Sequence, residues 1–144
     1  MRTIWFVYAI AVAGGTLTFL SPAGAADESG LVAYEQTVKP LLRNRCFACH
    51  GALKQEANLR LDTVDLMKSG GVSGAVIIAG DAADSLIVDR VTASDASERM
   101  PPDGPPLSND QIEALRRWID SGARSPLDEQ PETKPSDHWA FQKP

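Results

Sequence analysis

The stretch Cys46-Phe47-Ala48-Cys49-His50 decides how the rest of the chain is read. Two thiols three positions apart, with an imidazole directly after the second, are what covalent attachment of a c-type haem requires. Each sulfur adds across one vinyl group of the porphyrin, and the two intervening residues let a helical turn span both vinyls. His50 is then carried under the ring to meet the iron as proximal ligand. Three other chemistries compete for these residues. A structural disulfide is open to an exported chain with two cysteines, but so short a spacing closes almost no loop and makes a poor staple. A thioredoxin-like pair opens a helix after a strand in a βαβ unit, and no such alternation surrounds Cys46. Zinc wants four ligands, where this chain offers two cysteines and two histidines, with His138 in a tail.

The 144 residues hold one domain with a leader and a tail. Met1-Arg2 gives a small positive end, Ile4 to Ala13 is an unbroken apolar run, and Leu17 to Leu20 extends it. Ser21-Pro22 breaks the run before Ala23-Gly24-Ala25, a small-x-small cleavage site, so residues 1–25 read as a signal peptide cleaved after Ala25. The competing reading is an uncleaved anchor, because Ile4 to Leu20 approaches the ~20 residues that span a bilayer. Export to the periplasm or cell envelope also suits thioether formation, which in bacteria takes place outside the cytoplasm. Cleavage would remove a single charge, Arg2, and move the net charge from −5 to −6. An acidic surface argues against nucleic acid and favours partners with basic patches, although plain solubility accounts for it equally well.

Outward from the motif, Leu31, Tyr34, Val38, Leu41 and Leu42 recur at helical spacing behind Asp27-Glu28-Ser29. They predict a first helix from about Leu31 toward Arg45, with Pro40 as a kink or as the first residue of a second turn. Asp62 or Thr63 can cap a short helix through Leu66 and Met67 that Gly70-Gly71 ends. Leu59 to Leu61 and Ala75 to Ile78 are short apolar runs that can pair as a small two-stranded element. Asp84 or Ser85 starts a helix burying Leu86, Ile87 and Val91. Met100-Pro101-Pro102-Asp103-Gly104-Pro105-Pro106 cannot form regular structure, and its prolines hold Met100 stiffly. The last helix has a Ser108/Gln111 capping box, a Leu107/Ile112 staple, the stripe Ile112, Leu115, Trp118 and Ile119, and a stop at Gly122. Residues 125–144 read as a proline-rich, charged linker ending in the apolar cluster His138-Trp139-Ala140-Phe141.

An N-terminal helix, Cys-x-x-Cys-His, a Met-Pro loop and a C-terminal helix containing Trp118-Ile119 resemble class I cytochromes c. The closer resemblance is to the planctomycete-type cytochrome c domain. It rests on Val38 to Leu42, Cys46 to Gly51, Leu59 to Asp62, Gly70 to Gly74, Gly80-Asp81, Ser85-Leu86, Met100 to Pro102 and Trp118 to Ala123. The resemblance covers roughly residues 31–124 and implies a small all-α fold over 26–124, its terminal helices packed around a covalent haem. In that family further domains usually follow, with a segment like His138 to Phe141 marking the junction, so the chain resembles either a fragment or a stand-alone version of that first domain. One departure stands out: no proline lies between His50 and Met100 to offer its carbonyl to the proximal imidazole.

For the second axial position the residues offer Met67, Met100 and His138. Met100 is expected, since His138 is in the linker and Met67 sits where packing is more natural. The resemblance points the same way, because in class I cytochromes c the Met-Pro loop carries the distal ligand. Function is then expected to be electron transfer by one haem c per chain, exchanging electrons with a redox partner protein. The alternatives are a haem-based gas sensor with an open sixth position, or a docking module of a larger exported polypeptide. No acid-base pair or nucleophile constellation is evident, so the domain is not expected to be an enzyme.

Overall fold

The computed structural model describes residues 23–134 and Ala140. Almost all of the expected leader lies outside these residues, as do His138, Trp139 and Phe141. Helix α1 (Ala23–Ala33), a π-helical turn over Tyr34–Val38 and α2 (Lys39–Arg45) run into one another with right-handed helical backbone at both junctions. The rod starts earlier than expected, because Ala23, Ala25 and Ala26 are strong helix formers, and Ser29 lies inside the helix. Pro40 does not interrupt it. The wide turn before it, closed by the Lys39 N–H on the Tyr34 carbonyl, absorbs a residue that has no N–H of its own and crowds the preceding turn. Both Tyr34 and Val38 are thereby buried.

The rod ends at Cys46, whose backbone leaves the helical region, and one further turn, α3 (Phe47–His50), follows. The His50 N–H donates to the Cys46 carbonyl at 2.8 Å. Gly51 then turns the chain away where no side chain fits, since a Cβ there would lie 2.5 Å from the Phe47 carbonyl oxygen. Helix α4 (Val64–Ser69) is capped by Thr63, as expected, and ends at Gly70 with φ +73°. Helix α5 (Leu86–Thr92) buries Ile87, Val88 and Val91. Helix α6 (Asn109–Asp120) has both halves of its capping box and buries Leu115, Trp118 and Ile119. It packs against α1, the π turn and α5, and Trp118 stacks on Tyr34 with ring centroids 5.1 Å apart.

The architecture is all-α, as the resemblance implies. The expected two-stranded pairing is absent among the described residues, which contain only isolated bridges. The backbone groups it needed are used elsewhere: the Leu61 N–H goes to His50, Val76 to Met67, and the Val76 carbonyl accepts from Ile87.

The stretch after Arg124 also departs from the linker expectation. Glu129 lies against the rod and α4: its carboxylate accepts from the Tyr34 hydroxyl, the Lys39 ammonium and, at 2.9 Å, the Val64 N–H. The Glu132 N–H donates to the fully buried Asp62 carboxylate at 2.8 Å, and the Glu132 carbonyl accepts from Arg60 at 2.8 Å. Charge that looked solvated in sequence is thus spent on a strap across the domain.

Candidate functional site

Cys46, Cys49, His50 and Met100 line one cavity of about 350 Å³, within the range of small-molecule and cofactor sites. The rod delivers Cys46, and α3 places Cys49 and His50 one turn further on. Leu59, Leu61, Val76, Leu86, Ile87 and Val91 supply apolar walls, and the turn from Gly71 to Gly74 supplies another. That last wall depends on a tight turn: a Cβ on Gly70 would lie 1.8 Å from the Gly74 carbonyl oxygen. The glycines are therefore both turn and lining. Met100 enters at the head of its proline loop, with its N–H on the Arg90 carbonyl at 2.8 Å, and is 37% exposed. Met67 is fully buried in the core and does not line the cavity. Trp118 packs on the rod, away from the cavity lining.

The geometry also weighs the competing chemistries of the cysteines. Both thiols are free, with no bond between them. Burial, with a smaller contribution from Cys49, pushes the Cys46 thiol up to about 11, against the nearby Arg45. A redox-active or zinc-binding cysteine needs the opposite, a thiolate at neutral pH. Among the described residues no three His, Cys, Asp or Glu side chains converge as a metal cluster. A mainly apolar cavity with two thiols and an imidazole on its wall fits a haem bonded at its vinyl groups and held by His50.

His50 Nδ1 is buried and has no hydrogen-bond partner. The His50 backbone is held by the Cys46 carbonyl on one side and the Leu61 N–H on the other. Sequence reading missed the two guanidinium groups of the cavity. Arg45 donates to the Pro105 carbonyl, and Arg90 pairs with Glu98. Adjacency to Cys46 was the one available signal for Arg45; Arg90 had none, because its place depends on where the Met100 loop returns.

The family described as Planctomycete cytochrome C matches residues 46–104, from the first thiol through the Met100 loop. No curated protein and no solved structure matches the chain. The matched residues contain Cys46, Cys49, His50 and Met100, and the family implies a covalently held haem. Residues 46–104 are a planctomycete-type cytochrome c domain.

Proposed function

We propose that the chain is an exported electron-transfer domain that carries one haem c, bonded to Cys46 and Cys49, with His50 and Met100 as axial ligands. The observation that carries this reading is the shared cavity of those four residues, with Met67 withdrawn into the core. The haem supplies one-electron chemistry between ferric and ferrous iron. The chain's own part is to hold it by two covalent bonds, to exclude water with the apolar walls, and to set the potential through its ligands. A thioether favours the ferrous state and places the potential high in the ~0.8 V that axial ligands span. The domain is not an enzyme by itself; it hands electrons to a partner protein with a basic surface, and other domains can follow it in a longer polypeptide.

Matured with a c-type haem system, the protein should keep its colour through acid-acetone extraction. The ferric spectrum should show the weak Met-to-iron charge-transfer band in the red. Met100→Ala should lose that band, bind carbon monoxide readily and have a lower potential. Extraction of the haem into solvent, or a band that survives Met100→Ala and disappears in Met67→Ala, would refute the assignment. The exposure of Met100 favours a second reading, a gas binder in which the sixth position opens. Rapid carbon monoxide binding by the wild-type ferrous protein would select it.

A further inference from the structure

We propose that Arg45 is a positioning residue for Met100, a tether from the haem-attachment turn to the loop that presents the thioether. This rests on the reading of Met100 as the sixth ligand. The loop between α5 and α6 has few ways to stay in place. Pro101, Pro102, Pro105 and Pro106 have no N–H to donate, and the Glu98 and Arg99 N–H groups are spent on the Asp95 carbonyl in a local turn. Met100 itself is 37% exposed, so burial does not lock its side chain. The loop is held at its start by the Met100 N–H on the Arg90 carbonyl and by the Arg90–Glu98 pair, which is largely exposed and therefore weak. It is held at its far end by the Arg45 guanidinium on the Pro105 carbonyl, just ahead of buried Leu107.

Arg45 is the last residue of α2 and directly precedes Cys46. Its hydrogen bond, although exposed like the Arg90–Glu98 pair, is the one that joins the loop to the backbone that places both thiols and His50. The two ends of the axial arrangement are in this way set against each other by one side chain. Loss of the tether lets the loop leave the Arg90 carbonyl more often, and the sixth position is then open for a larger share of the time.

The test uses the haem-loaded protein and two readouts. In Arg45→Ala the Met100 amide should exchange with solvent roughly tenfold faster, as expected for one lost tether, while the core amide of Val76 is unchanged. Carbon monoxide should bind the ferrous form more tightly by a similar factor, and Arg45→Lys, which keeps a charged donor, should recover most of both. Arg45→Met keeps the aliphatic stem without the donors and makes the same comparison if the alanine variant does not mature. Unchanged Met100 exchange and unchanged carbon monoxide affinity would overturn the proposal. A wild-type spectrum without the Met-to-iron band would defeat the ligand assignment instead, and the amide exchange would still decide whether Arg45 is the tether.

Discussion

Asp62 has no exposed surface, yet it carries a charge. Burial works against that charge, but two bonds from Arg60, one of them 2.9 Å from Nε, and the Glu132 N–H hold its carboxyl below the usual carboxylate range. A carboxyl lowered in the folded state contributes stability that is present above its unfolded value and is lost as pH falls through the folded one. Acid titration of the melting temperature should therefore show wild type and Asp62→Asn converging at low pH and separating toward neutrality. Asp62→Ala should cost about 3 kcal/mol in denaturant unfolding of the haem-loaded protein, because it leaves Arg60 facing a desolvated gap. A cost below ~1 kcal/mol would mean that water reaches this pair as it reaches surface pairs. In the sequence Asp62 was legible only as a candidate cap. Its partner Glu132 lies 70 positions away, and no local pattern records such a pairing. Cys46, Cys49 and His50 were legible because covalent haem chemistry demands adjacency, whereas Arg45 and Arg90 reach the cavity from helices far apart in sequence.

Elements written in local chemistry were read correctly, and those that depend on competition for backbone partners were not. The capping box of α6 and the Thr63 cap of α4 each sit within four residues of sequence and form as expected. The supposed strands at 59–61 and 75–78 had the right apolar residues, but His50, Met67 and Ile87 claim their backbone groups first. The turn at 70–74 shows how strictly an element can constrain the cavity. Gly70 has φ +73° and no room for a Cβ, so Gly70→Ala combines backbone strain with a collision against Gly74. It should destabilise the haem-loaded protein by about 2–3 kcal/mol and shift the haem absorption bands, since the wall from Gly71 to Gly74 must move. Gly104, also at positive φ but with nothing within 4 Å, should lose only about 1 kcal/mol on the same change, with an unaltered spectrum. Equal effects at the two positions would show that strain alone matters and that the collision is relieved.

On the scale of the whole molecule, the haem domain is closed by a segment that composition marks as linker. Lys39, 19% exposed in its side chain, donates to Glu129, to the Asp62 carbonyl and to the Tyr34 hydroxyl, so one strap residue completes a polar cluster at the junction of rod and α4. Burial, and then the Glu129 carboxylate, push the Tyr34 hydroxyl well above its ordinary value. A chain ending at Arg124 should therefore lose about 3 kcal/mol relative to one ending at Lys134, read as a lower denaturant midpoint of the haem-loaded protein. Identical midpoints would return residues 125–134 to the status of a tether. The strap also has a consequence in time. Glu129 is made 90 residues after Lys39, an interval of about 5–20 s at ordinary elongation rates. For most of that interval Cys46 and Cys49 already exist while the Lys39 cluster lacks its last member. The chain is thus made with its thiols early and its clasp late.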